Sequence, residues 1–232
     1  MYASFLASNH PELMHGWNRM YSRNFEALLA YTVTRYGHDG LWIPETMGWD
    51  GSASGTVGSD FTQDILSTAT EAALNLYAEY LHTGDTEFLE DTVYPFLRET
   101  AQFYAQEFTL QDGSYFMASS NSHETYWDVE NAITDLASVR ALFPIAIALS
   151  TELDRDASLR TTWRDVLDNV VPYPESDGTY APHTPPISQT RNNENVVCEL
   201  IWPYSLGGIG SPDYDKLLEA WNERPFPYGN VW

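Results

Sequence analysis

The chain has 232 residues, enough for one large domain with a sizeable core, and 43% hydrophobic and 14% aromatic residues exclude a disordered polypeptide. Its 33 acidic residues against 11 basic ones leave a formal charge of −22, which repels phosphate backbones and anionic headgroups. Nucleic acid and membrane surfaces are therefore poor partners, and a neutral substrate fits better.

The opening Met1-Tyr2-Ala3-Ser4-Phe5-Leu6 has neither a basic n-region nor a cleavage pattern, so no secretory signal is visible. A first helix is predicted after Asn9-His10-Pro11, with Leu13, Trp17, Met20, Asn24, Leu28 and Tyr31 at steps of three and four, ending near Gly37. A second is capped by Ser59-Asp60 and runs through Ile65, Ala69, Ala72, Leu76 and Tyr80 to Gly84. The third starts at Thr86, carries Leu89 to Phe108 and is bent at Pro95. Gln111-Asp112-Gly113-Ser114-Tyr115 is a turn into a polar loop that ends near Asp128. A fourth helix holds Ile133 to Ala148. Its most apolar run, 141–149, contains Pro144 and falls short of the roughly 20 residues that span a bilayer. A fifth, capped by Asp156 or Ser158, ends before Pro172; residues 172–195 read as loop, and a short helix covers Asp213 to Trp221. No alternating strand pattern competes with these helices. Long helices joined alternately by tight turns and long loops suggest an all-α (α/α)6 toroid of helical hairpins, with the long loops gathered at one end. Five or six helices supply about half of such a ring, so residues 1–232 are expected to form a single, partial domain.

Three stretches could carry chemistry. In the segment 41–51, Trp42 and Trp49 flank Glu45: indole faces stack on sugar C–H surfaces and a carboxylate accepts sugar hydroxyls, although two tryptophans can equally plug helix ends. In 119–131, Glu124 lies beside Tyr126 and Trp127, whose apolar wall would raise its pKa and suit it to protonate a leaving oxygen. The bland reading is a solvated carboxylate at a helix N-terminus, and Asp128 sits where a cap belongs. His123 would orient Glu124 or be an ordinary loop histidine, and Asn131 adds an amide. In 189–195, Asn193, Glu194 and Asn195 precede an apolar segment; amides and one carboxylate suit hydroxyl recognition or the polarising of a water, with Glu194 as candidate base, and helix capping as the alternative. Glu199 reads as structural, facing Arg191. Cys198 is the sole cysteine, so an internal disulfide and a cysteine-rich metal site are excluded, and no motif implies a cofactor or metal.

These stretches resemble the (α/α)6-barrel glycosidases related to glycoside hydrolase family 95, which contains α-L-fucosidases. The resemblance rests on Ser8-Asn9-His10-Pro11-Glu12-Leu13 with Trp42-Ile43-Pro44-Glu45-Thr46-Met47, on Ser122-His123-Glu124, and on Asn193-Glu194-Asn195 leading to Trp202-Pro203-Tyr204-Ser205-Leu206. It implies an inverting hydrolase of an α-linked sugar in which Glu124 is the general acid of a Ser-Pro-Glu type loop, His123 replacing the proline. The family's base machinery uses asparagines that would precede Met1, plus an acidic residue near the late loop. The implied partner is a carbohydrate, and relatives are extracellular or periplasmic; the oligomeric state is left open. A polysaccharide lyase would want uronic acids, which this charge repels. A different class of reading is a non-catalytic carbohydrate-binding remnant of such an enzyme. Finally, ten of the 11 cations are Arg and only Lys216 is lysine. Such a surface suits high salt, where about 1 M screens charge within about 3 Å; an acidic secreted protein is the other reading.

Overall fold

Helices dominate the computed structural model, which describes residues 3–52 and 64–229. After the short α1 (Ala3–Ala7) and a 3-10 turn (Pro11–Met14) come α2 (His15–Ser22) and α3 (Phe25–Tyr36). The single helix expected here is divided at Arg23-Asn24. Asn24 turns its buried amide to the Met20 carbonyl (2.7 Å) and across to the Trp49 carbonyl (3.1 Å), trading helix continuity for a tie to the next loop. Gly37 ends α3 as expected, at φ 78°, where a glycine carries no Cβ penalty.

The predicted cap Ser59-Asp60 lies outside the described residues, and α4 runs Thr68–Thr83 to a left-handed Gly84. Asp85 caps the next turn by accepting the Phe88 N–H at 3.0 Å. That turn, α5 (Thr86–Phe88), widens into a π-helical stretch (Leu89–Val93) before α6 (Tyr94–Glu107). The expected irregularity at Pro95 is this widened turn: proline lacks the N–H an α-helix would send to residue 91, and its ring crowds that carbonyl.

The all-α expectation needs correction, because three antiparallel hairpins follow: β1 (Thr109–Gln111) with β2 (Ser114–Phe116), β3 (Ser120–Ser122) with β4 (Tyr126–Val129), and later β5 (Glu175–Ser176) with β6 (Thr179–Tyr180). Strands of two to four residues are too short to show alternation. Asp112-Gly113 and Asp177-Gly178, all at positive φ, form two of the turns. Between the last two hairpins lie α7 (Ile133–Glu152) and α8 (Ala157–Asn169). Asp156 stands before α8 without capping it; its carboxylate instead accepts the Tyr94 hydroxyl (2.6 Å) and pairs with Arg98 (3.2 Å). A 3-10 turn (Val196–Leu200) and α9 (Tyr214–Asn222) complete the described chain. Lys216 of α9 reaches Glu175 of β5 at 2.5 Å, beside the Tyr180 ring.

The apolar faces of α3, α4, α6, α7 and α8 enclose the main core around Trp42, Phe96, Phe103, Leu142, Phe143 and Trp163. A smaller core joins the first turns of α7 to Tyr126, Val196, Leu200, Tyr204 and Leu217. By length and composition α7 could cross a bilayer, but 72% of its most apolar window is buried inside the protein, so its hydrophobicity serves both cores.

Candidate active site

The hairpin β3–β4 pairs Ser122 with Tyr126 and leaves His123, Glu124 and Thr125 as its turn. His123 takes φ +48°, a conformation costly for a non-glycine residue and held here by what its side chain meets. The buried imidazole lies 2.7 Å from the buried carboxylate of Glu199 on the 3-10 turn. Glu124 is half-buried and accepts the Asn192 amide at 2.7 Å. Thr125 zips the turn to the late loop: its hydroxyl donates to Glu194 Oε2 (2.8 Å) and accepts the Glu194 N–H (3.1 Å), while its carbonyl accepts the Arg191 N–H (2.9 Å). Two loops separated by 69 residues thus form one wall.

A second wall comes from the segment after α3. The Leu41 N–H donates to the Glu99 carbonyl (2.8 Å), the Trp42 N–H to the Thr32 hydroxyl (2.9 Å) and the Trp42 indole to the Ile65 carbonyl (3.0 Å). Gly40 lets this segment press on α6, since a Cβ there would sit 2.6 Å from the Phe103 backbone. Four buried residues, 41–44, then deliver Glu45, itself half-buried, with Oε2 buried and accepting no hydrogen bond among the described residues.

Charge ties the walls together. Burial raises the Glu45 pKa, and the charge of Glu124 adds to it while His123 opposes. On α4, Glu71 is crowded by protein yet keeps partial solvent access; burial pushes it up to about 7, against the pull of His123. Burial alone would neutralise His123, but Glu199, then Glu71 and Glu194, push it up to about 10, so it is an imidazolium at neutral pH. Below the cluster, Asp135 of α7 accepts the Tyr104 hydroxyl (2.9 Å) and the Ser120 hydroxyl, and burial pushes it up to about 7. No three of these side chains meet in an arrangement that would hold a metal ion, among the described residues.

Of the residues singled out in the sequence, Glu45, His123, Glu124 and Glu194 come together. Other expectations are corrected. Trp42 is fully buried in the core and offers no face to a sugar. Asn131 spends its amide on the Met117 N–H (2.9 Å) and the Thr184 hydroxyl (2.9 Å), and Asn195 spends its own on the Phe226 backbone (2.8 and 3.2 Å); both tie loops together. His123 pairs with Glu199 at 2.7 Å, and the Arg191 guanidinium that Glu199 was expected to face lies 4.4 Å from the Trp127 ring. The Trp127 indole donates to the Glu124 carbonyl (2.7 Å), fixing the turn. Asp128 belongs to β4 and caps no helix. Asn193 is exposed, and Trp49 is 77% exposed on the loop that carries Glu45. Glu194 is only 1% exposed. Sequence reasoning missed Glu71, Thr125 and Asn192. Glu71 had a signal, a charge inside the apolar run Ala69 to Leu76; the other two act through tertiary partners alone.

The catalytic-domain model of glycosyl hydrolase family 95 matches residues 12–195, a span that contains every residue of this cluster except Glu199. No curated protein matches the chain.

Proposed function

Because the chain belongs to the glycosyl hydrolase family 95 catalytic-domain family, we propose that it cleaves an α-linked, fucoside-like sugar from an oligo- or polysaccharide, with Glu124 as general acid. The observation that carries this reading is the turn itself: Glu124 is held half-buried at the junction of two hydrogen-bonded loops, with Asn192 fixing one oxygen and further carboxylates within electrostatic reach. A fixed carboxyl at the rim of a partly desolvated cluster is what protonation of a departing glycosidic oxygen needs. Inversion follows if water attacks the opposite face, which asks for a second carboxyl about 6.5–9.5 Å from the first. Trp49, exposed beside Glu45, is the surface on which we place sugar stacking. In the (α/α)6 toroid of the family these helices would form part of the ring, with the loops at its mouth.

Hydrolysis of a panel of aryl and natural glycosides, α-L-fucosides included, tests the reading. Wild-type turnover is expected, with Glu124→Gln losing about 10²–10⁴-fold on poor leaving groups and much less on 2,4-dinitrophenyl glycosides. Product anomers read by NMR should be inverted. The competing reading, sugar binding without turnover, draws support from Trp42, Asn131 and Asn195, whose expected sugar contacts are replaced by internal ones. Binding of sugars with no turnover by the wild type would favour it.

A further inference from the structure

Away from the His123 cluster, the C-terminal end of α4 lines a cleft of about 280 Å³ that it shares with α2 and the π-helical stretch. Glu79 stands on its α4 wall, about 12 Å along the helix axis from Glu71 at 1.5 Å per residue. We infer that this cleft is a second, non-catalytic carbohydrate site, which holds one neutral sugar unit of a glycan. Nothing about the cleft depends on catalysis by Glu124.

Two buried polar side chains, Glu79 and Asn18, each 4% exposed, line the cleft. Asn18 donates its amide N–H to Glu79 Oε2, and its own Oδ1 accepts no hydrogen bond among the described residues. His15 Nε2 lies 3.2 Å from Glu79 Oε1. Burial raises the Glu79 pKa and the charge of Asp85 adds to it, while Asn18 and His15 oppose. Hydroxyl donors from a ligand would relieve that desolvation. Charge selects the class of ligand. Arg19, exposed on α2 with no ion-pair partner among the described residues, would repel a cation, and Glu79 and Asp85 would repel an anion. A neutral molecule rich in hydroxyls suits both, since each hydroxyl can donate to a carboxylate or amide oxygen and accept from the guanidinium. Phe88 and Thr92 form a further wall, one offering an apolar face to sugar C–H groups and the other a hydroxyl. At about 280 Å³ the space lies at the lower end of small-molecule pockets, a size for a single ring with its substituents.

Hydrogen exchange read by mass spectrometry tests this on the whole chain, with Glu124→Gln as the host so that probes are not consumed. The probes are methyl glycosides of D-galactose, D-glucose, D-xylose and L-fucose, with putrescine and inorganic phosphate as charged controls. At about twice its Kd, at least one sugar is expected to slow exchange in residues 15–22 and 79–92 about threefold, and neither control should. Arg19→Ala removes a donor, and Thr92→Trp fills the cleft without touching the Asn18–Glu79 tie. Each should weaken that binding about tenfold or more by calorimetry. Thermal melts check that both variants fold, and Arg19→Ala decides alone if Thr92→Trp does not. No protection by any sugar, protection by putrescine or phosphate in place of a sugar, or sugar binding that survives the folded variants overturns the inference. None of these outcomes touches the hydrolytic reading, which the wild-type glycoside panel decides by itself.

Discussion

His123 sets a positive charge among carboxylates that burial would otherwise keep neutral. Its folded-state pKa is raised from the ordinary histidine range to about 10, so the stabilisation is fully present below about pH 6.5 and is lost as pH rises towards 10. His123→Gln would strand the buried Glu199 carboxylate and is expected to cost about 3–5 kcal/mol at pH 8. Lowering the pH to 5 should restore part of that, since burial already pushes the Glu199 pKa up; urea titrations at both values check it. Asp135 works the other way round from a paired carboxylate. Raised to about 7, it keeps a proton that the unfolded chain has given up, so stability falls as pH rises from about 4 to 7. Asp135→Asn should flatten this fall by up to ~1.4 kcal/mol per pH unit, measured as the difference from wild type across that range. At this scale the sequence singled out Glu45 in one stretch and His123 and Glu124 in another, because aromatic and turn residues bracket them, and the fold brings the two stretches within electrostatic reach. It could not tell that Trp42 was core or that Asn131 and Asn195 were loop ties, since an amide or indole reads the same whether it meets a ligand or a protein group 14 to 53 residues away.

Gly40 is where one element bears on the chemistry of another. With φ +122° and a would-be Cβ 2.6 Å from the Phe103 backbone, Gly40→Ala is expected to cost about 1–3 kcal/mol and to shift the segment that delivers Glu45. Gly84→Ala, also at positive φ but with open space around it, should be destabilised without loss of kcat. Thermal melts alongside kinetics separate the two. The helices themselves were legible: α4, α6, α7 and α8 follow the spacing of apolar residues, and Gly37 and Gly84 stop α3 and α4 where a left-handed residue is needed. The hairpins were not, because two to four residues carry no period and the bonds that zip β3–β4 to residues 191–194 are long-range. The break at Asn24 was hidden for the same reason, its cause being a carbonyl 25 residues away.

Across the whole molecule, a formal charge of −22 opposes compaction. Ion pairs such as Arg155–Glu90 and Arg35–Asp64 offset little of it, being exposed to solvent. If the Asp- and Glu-rich, lysine-poor surface is an adaptation to salt, the melting temperature should rise by several degrees between 0.1 and 2 M KCl, as screening removes self-repulsion. A flat or falling profile in a differential scanning experiment would assign the acidity to some other cause. The same scarcity of lysine has a practical side. Lys216, clasped by Glu175 and Tyr180 where α9 meets the β5–β6 hairpin, is the sole side-chain amine. Amine-directed reagents therefore have a single side-chain address, so the protein could be tethered to a bead or carry one fluorophore there in a defined orientation. Attachment would also release Glu175, giving the labelled chain one more uncompensated negative charge.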